Sequence, residues 1–206
     1  MTRMSTAYEA HGRTAQKQRT RDALVAAARQ LITDGETPTV EATADAAAIS
    51  RTTAYRYFPN QRALLAVAFP STELVSLLPP DAPEDPRARI NVAVARYLKD
   101  LLASEAQQRT MLRLSLEEGG PPHELPLRQG RAIGWFTDAL EPARPVLGDA
   151  GLRRLVLSIR SAVGPEALVW LVDVAGLSRR EAVTQMRWSA DMLCAAALAA
   201  AEGGDA

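Results

Sequence analysis

Between residues 17 and 33 the apolar positions Leu24, Ala28, Leu31 and Ile32 recur every three or four residues, the period of a helix with one buried face. Asp34-Gly35 supplies its stop. A second, short helix is predicted over Val40 to Ala47 with Thr39 as its N-cap. A third runs from Ser50, its N-cap, to the break at Pro59-Asn60. At about 100° per residue, Ala54 and Phe58 of the third helix fall on one apolar side. Thr52 and Arg56 point the opposite way, and Arg51/Tyr55 and Thr53/Tyr57 take the two shoulders. One side packs, and the rest is polar, basic and aromatic.

Beyond Phe69 no alternating pattern suggests strands. Pro79-Pro80 and Pro83 mark a linker. Asp85 then caps a helix with Pro86 in its first turn, running to about Ser104 and on to Glu118. Gly119-Gly120-Pro121-Pro122 forces a loop, another helix covers Leu127 to Ala143, and a further one begins near Gly151. Gly164-Pro165 breaks it before Glu166 to Ala175 resumes. Ser178-Arg179-Arg180-Glu181 is a capping-box pattern that opens a long last helix reaching about Ala201. The fold class is therefore all-α: a small three-helix module followed by a larger helical body.

Two short helices joined by the tight link Ala48-Ile49-Ser50 match the helix-turn-helix arrangement, in which the second helix enters the major groove of DNA and the first crosses the backbone. Charge agrees with this. The chain is formally neutral, yet residues 1–66 carry nine Arg/Lys against six Asp/Glu and residues 67–206 carry fifteen against eighteen. The field that attracts phosphates lies at the N-terminal end. Residues 1–16 hold Arg3, His11 and Arg13 but no apolar segment, and read as an unordered arm rather than a signal peptide.

Catalytic chemistry finds little footing. His11 and His123 are the only histidines and lie far apart, and the phosphate-cradling and nucleophile-elbow motifs are missing. Adjacent Glu117 and Glu118 diverge on a helix by about 100°. No catalytic residue, metal site or cofactor is expected. Cys194 is the only cysteine, so no intrachain disulfide can form, and its apolar neighbours suggest a buried structural thiol. No apolar run reaches the ~18 residues of a membrane span. A cytoplasmic protein is the expectation.

The motifs of residues 17 to 69 resemble the TetR family of bacterial transcriptional regulators: Leu31-Ile32-x-x-Gly35, Thr39-Val40, Ala47-x-Ile49-Ser50, Thr53-x-Tyr55-x-x-Phe58-Pro59 and Ala63-Leu64-Leu65. Departures from the usual pattern are Thr43 and Ala54 for aliphatic residues, Ala48 for Gly, Tyr57 for His and Gln61 for Lys. The resemblance implies a DNA face made of Arg51, Thr52, Thr53, Tyr55, Arg56 and Tyr57, with Ser50 at its head. It places phosphate contacts at Thr39, Asn60 and Gln61. It also implies residues 17–69 as the DNA-binding domain and 70–206 as a ligand-binding and dimerisation domain.

In the body, Leu155, Val156, Ile159 and Val163 form one apolar stripe. Ala182, Met186, Ser189, Leu193, Ala197 and Ala200 form another. The last helix has a second apolar face in Trp188, Met192, Ala195 and Ala199. The family's last helices join two subunits, so the resemblance implies a homodimer, with Leu155, Ile159, Met186, Leu193, Ala197 and Ala200 as its seam. Tyr97, Leu101, Met111, Leu112, Leu116, Trp135, Phe136 and Trp170 lie on helices that resemble the family's cavity. These are the expected lining of a small-molecule effector site, Trp135 facing the cavity and Trp170 mainly core. The implied function is a repressor that binds a palindromic operator in double-stranded DNA and is released by a small molecule. The reading from another class is a helical small-molecule carrier or interaction protein with a vestigial helix-turn-helix.

Overall fold

The structure, a computed structural model, describes residues 5–69, 74–116 and 130–203, with side chains from residue 14 onward. Every regular element among them is helical, and the fold is all-α. The described residues fall into two compact units, one ahead of residue 73 and one after it.

The first unit consists of α1 (Ser5–Thr33), α2 (Val40–Ala46), α3 (Arg51–Tyr57) and α4 (Gln61–Ala68). Contrary to the expected unordered arm, α1 already begins at Ser5, ahead of Lys17. The segment holds no Pro, and its Ala, Glu, Arg and Gln residues favour helix enough to carry it through Gly12, which costs about 1 kcal/mol against Ala. Leu24, Val25 and Ala28 of α1 pack on Val40, Ala44, Ala54, Phe58, Leu64 and Ala68, one small core shared by all four helices. Thr39, Ser50 and Asn60 cap α2, α3 and α4, each side chain accepting a hydrogen bond from a backbone N–H three residues on. Arg29 Nε donates to the Ala68 carbonyl (2.6 Å) and ties the end of α4 to α1.

The second unit comprises α5 (Pro86–Ala103), α6 (Glu105–Leu116), α7 (Arg131–Leu140), α8 (Arg144–Val163), the short α9 (Pro165–Val169) and α10 (Arg179–Glu202). Asp85 caps α5 with Pro86 at its first position, and Ser178 with Glu181 completes the capping box of α10. α5 ends at Ala103 with Ser104 as its C-cap, and α7 starts at Arg131; its expected beginning at Leu127 lies outside the described residues. α8 breaks at Gly148, whose φ of 65° suits glycine, so the helix expected from near Gly151 is its long second part and one further turn from Arg144 precedes it. A π-helical turn, Trp170–Val174, follows α9.

By length and composition one stretch within Arg131–Val174 is apolar enough to cross a membrane, which the sequence expectation had not included. In the fold the region Arg131–Val174 is broken at Gly148 and at Gly164, and Phe136, Leu140, Leu152, Val156, Ile159 and Val163 from it are packed in the core of the second unit.

Candidate nucleic-acid interface

The short link between α2 and α3 brings Ala48 to a φ of 53°, a left-handed backbone that an alanine Cβ resists and a glycine would not. Ile49 N–H closes the turn by donating to the Ala44 carbonyl (2.9 Å). The turn sets α3 so that Ala54 and Phe58 are buried, while Arg51, Thr52, Tyr55 and Arg56 are exposed and Thr53 and Tyr57 half-buried. The angular sorting expected of this helix is what the burial pattern shows. Arg21 of α1 lies over the Phe58 ring, 5.9 Å from its centroid, and closes the inner side.

The expected phosphate contacts carry structural duties. Thr39 Oγ1 accepts from Ala42 N–H (3.0 Å) and Asn60 Oδ1 from Ala63 N–H (2.8 Å). Gln61 Nε2 reaches the Pro38 carbonyl (3.4 Å), and Ser50 Oγ lies 2.8 Å from Thr53 Oγ1. These bonds fix the positions of the helix starts, which are the groups that present backbone N–H to an anion.

Two acidic residues of α2 that the sequence reading left aside belong to this face. Asp45 Oδ2 accepts from Arg51 Nη2 (3.0 Å), and the Tyr55 hydroxyl donates to Glu41 Oε1. The Tyr55 hydrogen bond holds the Glu41 carboxyl below its usual range and in turn raises the Tyr55 phenol. Spacing puts Glu41 and Asp45 on one face of α2 and Arg51 and Tyr55 on one face of α3, but only the turn between the helices brings the two faces together.

In the second unit the expected effector residues do not form one wall. Leu101 and Phe136 are buried in the unit's core, with Tyr97 meeting Phe136 edge to face at 5.4 Å and Trp135 packed alongside. Trp135 Nε1 donates to the Leu74 carbonyl (2.8 Å). Met111 is buried and Leu112 half-buried, whereas Leu116 is 74% exposed. Trp170, expected mainly as core, is 58% exposed at the head of the π-helical turn, whereas its neighbour Leu171 is buried. Nearby polar groups are engaged elsewhere or buried: Arg160 is paired with Glu166 (3.0 Å), and Arg131 Nη1 is buried without a hydrogen-bond partner among the described residues. Glu117 and His123 lie outside the described residues.

The expected dimer seam also needs correction. Leu155, Ile159 and Met186 are core residues of their own chain, since α8 and α10 pack on each other through these side chains. Leu193, Ala197 and Ala200 line a groove of about 310 Å³ between α8 and α10, opposite Leu147, Gly151 and Arg154. The outward side of α10 is the one bearing Trp188 (59% exposed), Met192 and Ala199. Cys194 is buried, and desolvation pushes its thiol up to about 11, which disfavours a reactive thiolate.

No protein family, curated protein or solved structure compared with the chain matches it.

Proposed function

We propose that the chain is a sequence-specific DNA-binding transcriptional regulator that acts as a homodimer, α2 and α3 serving as its helix-turn-helix. The observation that carries this reading is the arrangement of α3. A seven-residue helix capped by Ser50 buries Ala54 and Phe58 and turns Arg51, Thr52, Tyr55 and Arg56 to solvent. A short helix on a small rigid core, with basic and aromatic side chains outward, has the dimensions and chemistry to enter a major groove. The resemblance of residues 17 to 69 to TetR-family regulators supports the same reading. No catalytic step belongs to it.

The role of the second unit is to pair two copies and to take a small-molecule effector. Pairing uses the outward side of α10, because Trp188 and Met192 there are large apolar side chains left in water. A dimer sets two α3 helices at the spacing of successive major grooves, and an effector bound in the body relieves operator binding by favouring a different spacing. The sign of regulation is that of a repressor.

Retardation of a duplex taken from upstream of the chain's own gene, measured over a salt series, tests the reading. Tight binding that weakens steeply as salt rises is expected, because each phosphate neutralised releases counterions. A dimer that retards no upstream duplex at low salt would overturn it in favour of a helical carrier.

A further inference from the structure

We propose that Glu41 and Asp45 of α2 are specificity-determining residues of the DNA face, restraining Tyr55 and Arg51 so that they meet base edges rather than phosphates. This rests on the DNA-binding reading above. The carboxylates form two rungs between the helices, Asp45 to Arg51 at 3.0 Å and Glu41 to Tyr55, with Asp45, Arg51 and Tyr55 exposed and Glu41 half-buried. Exposed pairs of this kind add little to stability, so the fold has small use for them.

Their effect on DNA is larger. Sequence-independent affinity comes from cations that neutralise phosphates. With Asp45 and Glu41 in place, two carboxylates offset the charges of Arg51 and Arg56 on this face, and a phosphate within about 10 Å of them meets like charge. A base edge is a different partner. It asks for aligned donors rather than net charge, and Asp45 engages only Nη2 of Arg51, leaving the rest of its five donors available. A held guanidinium also loses less rotamer freedom on docking than a mobile one. The carboxylates therefore weaken contact with any DNA while preserving contact with the right one, and raise the ratio between the two.

The test compares the unaltered chain, Asp45→Asn and Glu41→Gln. Each is titrated against the upstream duplex and a random duplex of equal length across a salt series, with folding checked by circular dichroism. The expected result is that Asp45→Asn binds the random duplex about tenfold more tightly and loses a similar factor in the ratio of specific to non-specific affinity. Its log–log salt slope should steepen by about one, the signature of a released cation pairing a phosphate. Glu41→Gln should shift the ratio the same way. Adding Arg51→Ala to Asp45→Asn should cancel the gain on random DNA. Folded variants with an unchanged ratio and slope would overturn the proposal while leaving the DNA-binding reading intact. An unaltered chain that binds both duplexes equally would remove both.

Discussion

Arg56 stands in the middle of the exposed side of α3, on the face opposite the buried Ala54 and Phe58. Its replacement by Ala should cost about 1–3 kcal/mol of operator binding, with the helical circular dichroism unchanged. Equal affinity in the folded variant would move the interface elsewhere. Thr43 shows the opposite condition. It is 1% exposed inside the small core of the first unit, and its hydroxyl has no hydrogen-bond partner among the described residues. A buried hydroxyl without a partner keeps its desolvation cost, and valine has nearly the same shape without it. Thr43→Val should therefore stabilise the chain by about 1 kcal/mol, read as a higher denaturant midpoint at constant slope.

The turn between α2 and α3 stores a conformational cost at Ala48, where φ is 53°. A non-glycine residue in that region is disfavoured by about 1–2 kcal/mol, and glycine recovers part of this against its greater freedom in the unfolded chain. Ala48→Gly should raise stability by roughly 0.5–1 kcal/mol without altering the caps at Ser50 and Thr39. A lower melting temperature for the variant would contradict that balance. α10 poses a different problem, since both its sides are apolar. Ala182, Met186, Ala190 and Cys194 face the core, and Trp188 and Met192 face out. An Arg at Trp188 should leave the fold intact, produce monomers in sedimentation and weaken operator binding through loss of the paired half-site. A variant that remains dimeric would shift the seam to the groove beside Leu193 and Ala197.

Long-range ion pairs bind the helices of the second unit to one another. Arg87 on α5 meets Asp191 on α10 through two hydrogen bonds of 2.7 and 2.6 Å, and Asn91 adds a third of 2.9 Å. Arg109 of α6 holds both Glu105 and Asp173, and Arg179 at the start of α10 returns to Glu105. The Arg87 guanidinium, with Asn91, lowers the Asp191 carboxyl to about 2. A carboxyl depressed on folding binds its proton more readily in the unfolded chain. Its contribution is then fully present above the unfolded value near 3.8 and is lost as pH falls through about 2. Melting temperature should decline across that acid window, and Asp191→Asn should flatten this part of the decline while lowering the neutral-pH value. An identical acid profile in the variant would assign the loss to other carboxylates.

Features governed by near neighbours were legible in the chain before any fold was known. The caps Thr39, Ser50, Asp85 and Ser178 act on N–H groups three residues on, so their geometry follows from local backbone alone. The buried and exposed sides of α3 follow from angle, because a helix with two apolar positions one turn apart has a single side to bury. Ala48 at a position where the resembling family has glycine already pointed to a left-handed turn, and its φ is 53°. The bend at Gly148 and the exposure of Trp170 beside the buried Leu171 were not legible, because helical period alone does not say where a helix is interrupted or which of two neighbouring apolar residues meets the core. The same holds for α10. Its two stripes are alike in apolarity, and only the packing of α8 and α5 against one of them decided that Met186 is core and Trp188 surface. The pairing of Asp45 with Arg51 and Glu41 with Tyr55 also needed the turn to set α2 beside α3. Local hydrogen bonding and helical period determine the elements, and the energy of long-range burial determines which of their faces meet and which remain free to bind.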